Sequence, residues 1–547
     1  GSGSASPRIL SEMRAFWGTS VLLFLVCQSF AQSPTGRILG RVLDPSGRTI
    51  AGARIEAEQL ATGRVTVLDS GPAGDYALPA LAVGRYEVRA AADGFAQRAY
   101  RLEVEVGRAV SLDLELPLAG GRSSVEVVDR TPLVDARSAA VGAVIERERL
   151  ARLPLNSRDF LQLALLAGGA NPAAPGSELE RQNDSGLHLH GSREASNNFL
   201  LDGVDNNDLY INRLVVSPPL DSVEQFKLHS SSYQAEFGRS GGAQVNVVSR
   251  AGGNRLHGSV YEYLRNEAFD ARNFFDPAGQ DIPQFRRNQF GVSVGGPIRK
   301  DRTFFFAGFE GTRIRDAVTR TARVPTAAEL SGDFSGLGRP ILDPFTQSPF
   351  PDNRIPAERI SPIAGALGQA WPAPNRADPD QNFVSTPVGD KLSNQVYGRF
   401  DHYWSKQDAL YVRYNFSHDN ALAPFGDDST NTPGFGSFIL NRGQNLVAAN
   451  THTFGPRTVW EARFGFNRLR RDITQQNAGV DYAADLGISG LSQDPRFIGF
   501  PAISVPGYDG IGDETALPIQ RGDNTYHVVQ SVTFLRGSHV IKAGGEF

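Results

Sequence analysis

Residues 187–275 decide how this chain is read. They open as LHLHGSREASNNFLLDGVDNNDLY (residues 187–210) and continue as SVEQFKLHSSSYQAEFGRSGGAQVNVVSRAGGNRLHGSVYEYLRNEAFDARNFF (residues 222–275). The first half is small, polar and turn-rich, with short apolar runs between its Asn, Asp and Gly residues. The second half opens a series of alternating strands that continues to residue 547. A compact unit therefore passes directly into a long β-array, and that join organises the rest.

Downstream, the alternation has a period of two. Phe290, Val292 and Val294 share one face, with Gln289, Gly291 and Ser293 on the other. Leu410, Val412, Tyr414 and Phe416 oppose Tyr411, Arg413 and Asn415; Trp460, Ala462, Phe464 and Phe466 oppose Glu461, Arg463 and Asn467. Tyr526, Val528, Val532 and Phe534 continue the pattern. A soluble sandwich alternates in the same way. Strand length, aromatic strand ends and an export signal favour lipid on the apolar side and a polar lumen on the other. Strands with unpaired edges cannot sit in lipid, so such a sheet must close. Long polar connections at residues 270–287, 317–391, 420–442 and 478–521 alternate with short turns, the asymmetry expected of a transmembrane barrel.

The bulk composition agrees. The 547 residues exceed one domain, and 58 Gly with 33 Pro suit many turns and strands. With 55 Lys+Arg against 59 Asp+Glu, the net charge of −4 gives no support for nucleic-acid binding. Residues 1–12 read as a tag or a misplaced start; residues 13–31 read as a signal peptide, with Arg14, an apolar core from Val21 to Cys27, and a cleavage site at Ser29-Phe30-Ala31. The core is too short to span a bilayer as a helix. Cys27 is the single cysteine, so the mature chain is expected to carry neither disulfide nor thiolate chemistry.

Residues 36–118 read as a small antiparallel β-sandwich, with a turn at Asp44-Pro45-Ser46-Gly47 and others near Gly74 and Gly84. Residues 119–140 read as a linker containing SSVEVVDRTPLVDA. Residues 141–250 read as an α+β unit: VIERERLARLPLNSRDFLQLALLAGG holds two short helices broken at Pro154, with Phe160, Leu161, Leu163, Leu165 and Leu166 packed inside. Gly238, Gly241 and Gly242 mark turns or close packing, with no Gly-Lys-Ser/Thr ending to suggest a phosphate loop.

Taken in order, LPLNSRDF, NNFLLDGVDNND, SVEQFKLHSSSYQAEFGRSGG and AQVNVVSRAGGN resemble the TonB-dependent outer-membrane receptors, and within them the Oar-like branch. The resemblance covers roughly residues 36–547 and is most specific at the central unit and first strands. It implies a mainly β fold: a transthyretin-like, carboxypeptidase regulatory-like sandwich, an α+β plug at 141–250, and an antiparallel transmembrane barrel from 255 to 547. It places a TonB box in the linker; Ser124, Val125, Glu126, Val127 and Val128 are the candidate, and a first plug strand is the equal alternative. An extended segment suits that role because main-chain hydrogen bonds join it to a partner's sheet edge. About nine or ten strands follow residue 256, against about 22 in large plugged transporters, so the barrel is expected to be incomplete.

Chemistry-bearing groupings are few. Asp202, Asp205, Asn206, Asn207 and Asp208 form an oxygen-rich plug turn, a candidate ligand-facing apex. They lack the spacing of an EF-hand, so turn formation explains them more simply than calcium. His188 and His190 lack a third metal ligand. Glu224, Lys227, Glu236, Arg239 and Arg250 are candidates for pairing with charges on the barrel wall, or for an ordinary solvated face. Arg521-Gly522-Asp523 spells an adhesion tripeptide, too short to argue from. With no Ser/His/Asp set, paired-carboxylate cleft or Cys nucleophile, neither an enzyme nor a cofactor is expected.

The resemblance implies an outer-membrane receptor of a Gram-negative cell that captures an extracellular ligand and imports it with energy relayed by TonB, ExbB and ExbD. The regulatory-like domain inclines that ligand towards a large organic molecule. The alternatives are a barrel-anchored adhesion or scaffold protein, or a truncated fragment.

Overall fold

The computed structural model describes residues 34–119, 127–129, 141–153, 155, 158–172, 186–239, 241–272, 282–426, 430–455, 457–536 and 539–547. The leader and residues 120–126 lie outside them.

The N-terminal unit contains β1 (Gly36–Leu43), β2 (Arg54–Gln59), β3 (Arg64–Asp69), β4 (Asp75–Leu81), β5 (Gly84–Ala91), β6 (Arg98–Val104), β7 (Ala109–Ser111), β8 (Leu114–Glu115) and β9 (Val127–Asp129). β4, β1, β7 and β8 form one sheet and β3-β2-β5-β6-β9 the other. Alternate residues from both sheets, among them Ile38, Val42, Ile55, Leu78, Val88 and Leu114, fill the space between them. The expectation of a purely antiparallel sandwich is corrected: β7 and β8 run parallel to β1, and β9 runs parallel to β6. The chain crosses from β6 into the opposite sheet and meets β1 from the same end, which forces the parallel pairing.

The central unit contains β10 (Val141–Glu146), β11 (Ala170–Pro172), β12 (Leu187–Leu189), β13 (Asn198–Leu201), β14 (Val204–Asp205), β15 (Val223–Ser231) and β16 (Gln244–Ser249). Its main sheet runs β10-β15-β16-β13-β14. Two short helices, Arg147–Arg152 and Leu161–Ala164, flank it. Phe160, Leu161, Leu163, Phe199, Phe226 and Val245 build the core, with Phe160 edge-on to Phe226 at 5.6 Å between ring centroids. Leu165 and Leu166 are exposed, contrary to expectation. The helix ends at Ala164, and the turn that follows carries both side chains outwards.

The remaining strands are β17 (His257–Asn266), β18 (Phe285–Arg299), β19 (Thr303–Ala317), β20 (Arg320–Ala322), β21 (Phe383–Ser385), β22 (Val388–Tyr403), β23 (Asp408–Ala423), β24 (Ser437–Gly455), β25 (Thr458–Gln475), β26 (Ile519–Arg536) and β27 (His539–Glu546). β20 and β21 pair inside a long connection; the other nine form one antiparallel meander in chain order. β24, with 19 residues, is longer than the roughly 9–11 a membrane crossing needs. Long connections lie at one end, and turns such as residues 300–302 and 404–407 at the other. The sheet curves around the central unit without closing, and β17 and β27 are its edges.

Burial in this sheet is inverted relative to a soluble protein. Arg413, Asn415, Glu461, Arg463 and Asn467 are buried on the concave face, while Val292, Tyr414, Phe464, Tyr526 and Val528 are exposed on the convex face. One outward row follows the register through Val294, Ala307, Gly398, Tyr414, Leu446, Phe466 and Tyr526. A continuous apolar band of this kind is unfavourable in water and favourable against lipid.

Candidate functional site

The site is the polar seam between the central unit and the concave wall. It begins at a two-residue turn. Leu201 pairs with Val204, and Asp202 and Gly203 between them both take positive φ, 55° and 75°. That is the geometry an Asp-Gly hairpin turn supplies. The turn thrusts the Asp202 carboxylate at the wall, where Arg413 Nε donates to it at 2.9 Å and Arg399 Nη1 lies at 3.8 Å. The Ser249 backbone N–H donates to the same carboxylate at 2.8 Å. Asp202 and Arg413 are each 1 % exposed. Burial alone would raise the Asp202 pKa; the Arg413 and Arg399 guanidiniums and the Ser249 N–H outweigh it and hold the carboxyl below its ordinary value.

Arg413 also binds plug-side and wall-side carbonyls, donating from Nη2 to Leu201 O at 3.1 Å and from Nη1 to Asn445 O at 3.0 Å. Arg399 donates to Ser249 O at 3.0 Å, and its other face pairs with Asp401 at 2.8 Å. Between these polar contacts, Val204 packs on Val447 and Ala449. Gly465 lies opposite: a Cβ there would stand 2.8 Å from the Val204 Cβ, so the wall needs glycine where the central unit presses closest.

Further along, wall amides hold the backbone of the same loop. Asn445 Nδ2 donates to Asp205 O at 2.9 Å, and Asn467 Nδ2 to Asn207 O at 3.3 Å. The Asp205 N–H donates to His527 Nδ1 at 3.2 Å, and its carboxylate pairs with Arg239. Asn206 exchanges hydrogen bonds with the Val216 backbone, donating at 2.8 Å and accepting at 3.1 Å. Asn207 braces Asn198 and Phe199. Asp208 is bound by Arg521 at 2.8 Å and approached by Arg213 at 3.4 Å. All five predicted apex residues are thus buried in turn and seam contacts. The exposed tip beside them is Leu209 and Tyr210, with Arg521 lying 4.7 Å over the Tyr210 ring.

A second anchor fastens the unit to the first strands. Arg158, in LPLNSRDF, pairs with Asp221, donates to Tyr263 Oη at 2.9 Å and lies 4.4 Å over the Tyr261 ring. Tyr261 in turn donates to Glu310 at 2.6 Å. Of the charged residues singled out in sequence, Glu236 pairs with Lys542 on the wall, while Arg239 turns to Asp205 and Lys227 donates to Gly107 O of the sandwich at 3.0 Å. Sequence reasoning did not match Arg399, Arg413, Asn445 and Arg521 to plug partners. The one available signal was their parity on the polar face of apolar strands.

His188 pairs with Glu194 at 2.9 Å, and His190 leaves the strand with φ of 48°, so the two imidazoles do not converge. Of the candidate partner-binding segment, Ser124, Val125 and Glu126 lie outside the described residues; Val127 and Val128 belong to β9, in register with Ala99 and Tyr100 of β6.

Above the seam, the long connections are tied together. Trp371 Nε1 donates to Asp509 O at 3.0 Å, Asn431 Nδ2 to the Asp509 carboxylate at 2.7 Å, and Thr430 Oγ1 to Gly510 O at 2.6 Å. Three connections distant in sequence thereby form one cap over the end of the wall.

Comparison with known proteins gives two domain matches: "Outer membrane beta barrel domain" over residues 248–547 and "Carboxypeptidase regulatory-like domain" over residues 37–117. The chain is 30 % identical over 316 residues to the TonB-dependent transporter Oar of Myxococcus xanthus, covering 54 % of this chain and 28 % of that protein. Among solved structures, it resembles the outer membrane transporter YddB of Escherichia coli, at TM-score 0.46 and 9 % identity over 72 % of this chain and 45 % of that one. It also resembles the ferric enterobactin receptor PfeA of Pseudomonas aeruginosa, at TM-score 0.44 and 12 % identity over 74 % of this chain and 48 % of that one. The chain spans less than half the length of each of these relatives.

Proposed function

This chain belongs to the outer-membrane β-barrel family, in its TonB-dependent, Oar-like branch, and from that we propose that it acts as a ligand-import receptor rather than an enzyme. An extracellular ligand is captured at the long-connection end, by the cap and the exposed Leu209–Tyr210 tip. TonB, energised through ExbB and ExbD, then pulls on the plug from the periplasmic side.

The observation that carries this reading is the seam. The plug is held in the lumen mainly by ion pairs and amide–carbonyl hydrogen bonds, with small apolar contacts where Val204 meets Val447 and Ala449 and where Val215 and Val216 meet Leu469. Polar contacts of this type exchange for water as surfaces part, so a plug held this way shifts without exposing a large apolar core. An apolar interface of the same size would resist that motion. The barrel-anchored adhesin draws no support from Arg521-Gly522-Asp523, because Arg521 faces the lumen and pairs with Asp208.

Under this proposal, the segment Ser124–Val128 is the TonB box. Val127 and Val128 are already extended along the β6 edge, and engaging TonB exchanges one edge for another. Deleting residues 124–128 is expected to abolish energy-dependent ligand accumulation while leaving surface binding of ligand intact. Accumulation at the wild-type rate in the deleted protein would refute the proposal.

A further inference from the structure

At the short-turn end of the barrel, where sandwich, plug and wall meet, lies a cavity of about 1090 Å³. That is the size of a small-molecule site, far larger than a single ion requires. Its charged lining separates into matched and unmatched groups. Arg85 is matched by Glu103 at 3.9 Å and Arg399 by Asp401 at 2.8 Å. Arg147, Arg250 and Arg255 also line it, and none of the three forms an ion pair among the described residues.

Arg250 is the decisive group. It is only 9 % exposed, yet no hydrogen bond or carboxylate engages its guanidinium among the described residues; its side chain lies 4.9 Å over the Phe306 ring. Because Arg250 lines the cavity with no carboxylate on it among the described residues, its donors are available to an anion that enters. Burial first, and then the neighbouring Arg147, push the Arg250 pKa below the ordinary guanidinium value, with Glu224 and Asp221 offsetting part of the effect. Two like charges are therefore gathered at one cavity wall with a planar donor fork left open, the arrangement that suits a carboxylate or phosphate.

We propose that this cavity binds the oxyanion group, carboxylate or phosphate, of a small solute, with Arg250 as principal ligand and Arg147 and Arg255 as flanking cations. Glu146 and Glu224 share the lining, so the site favours a solute with one compact anionic group over a polyanion. Binding at this cavity does not require TonB coupling.

The test is calorimetric titration of the folded full chain in detergent micelles with inorganic phosphate and, separately, with citrate. Saturable binding of either probe is expected, and the stronger identifies the source of the oxyanion. Arg250→Met is expected to weaken it about tenfold or more, and Arg250→Lys, which keeps the charge but loses the fork, by less. If Arg250→Met does not fold, Arg147→Met, at an exposed position, serves instead with a severalfold loss. Absence of binding by the wild-type chain, or affinity unchanged in the folded substitution, overturns the proposal.

Discussion

Asp202 combines a strained backbone, a buried charge and a contact between domains. Its positive φ is tolerable because Asp accepts the left-handed region better than most side chains and Gly203 completes the turn. Its charge is tolerable because Arg413, Arg399 and Ser249 surround it. Asp202→Asn keeps the shape and removes the charge, leaving Arg413 buried without its counter-ion. The expected loss is about 3–5 kcal/mol, read as a lower thermal midpoint of the folded chain, and Arg413→Met in the same protein should restore part of it. The pH dependence has a definite sign. The folded-state pKa of Asp202 lies below the ordinary 3.8, so its contribution is present above that value and is lost as pH falls through the folded pKa. The Asn variant should lack that acid-side step; an identical pH profile in both proteins would contradict the assignment. The turn itself was legible in sequence as Asp-Gly, but its purpose was not. Arg413 lies 211 positions away, and no local pattern marks a partner at that range. Distance likewise hid the Asp208–Arg521 pair, 313 positions apart, whereas Asn206 and the Asn207 side chain bind neighbours within ten positions; all three read as a loop apex and are buried beside the exposed Leu209 and Tyr210.

The strands show what period-two patterning does and does not carry. Parity alone separated the outward Phe464 and Val528 from the inward Arg463 and Glu461, because successive side chains on a strand must point to opposite faces. The assignment of the apolar face to lipid rests on chemistry: charged groups cannot face hydrocarbon, and the wide plug surface accepts them. Phe464 pairs with Ala448 and Val528 in the middle of its strands, within the apolar band. Phe464→Lys is therefore expected to destabilise the sheet by about 2–4 kcal/mol in a bilayer and far less in solution without lipid or detergent. Denaturant titration in vesicles measures it, and an unchanged midpoint would mean that this face does not contact lipid. Parallel pairings were less visible. β7, β8 and β9 are two or three residues long, too short to show a period, and their partners are set by how the chain crosses between sheets. Leu165 and Leu166 misled for a related reason: an apolar run continues through a helix end that only the backbone defines.

At the scale of the molecule, the order of units was readable from composition and motif, but their docking was not. The sandwich touches both other units. Gln225 Oε1 of the plug accepts from Val106 N at 3.2 Å, and Lys227 reaches Gly107 O at 3.0 Å. At the junction, Asn254 N donates to Ala61 O at 2.8 Å, and Arg64 lies 4.7 Å over Tyr403 on the wall. The β2–β3 turn thus bridges the plug's exit and the rim of the sheet, so the sandwich restrains the two parts that move relative to each other under the proposed import function. The bridge is open to a direct test. A Cβ built at Gly253 stands 3.7 Å from the Ala61 Cβ, within the range of a disulfide, and the backbone at Gly253 does not take a positive φ. The Ala61 carbonyl oxygen, 2.8 Å from that Cβ, is a backbone atom and must shift, so Gly253→Ala, which has the same Cβ without the sulfur, is the control that the folded protein accepts it. The chain has one natural cysteine, Cys27, in the candidate leader, so Ala61→Cys with Gly253→Cys forms a defined pair. Oxidation should cross-link the folded protein, and reduction should reverse it. If the sandwich must undock for the plug to shift, the oxidised protein binds ligand normally and accumulates none until reductant is added. Cross-linking without loss of accumulation would make the sandwich a fixed platform, and failure to cross-link in a protein whose Gly253→Ala variant folds normally would contradict this docking.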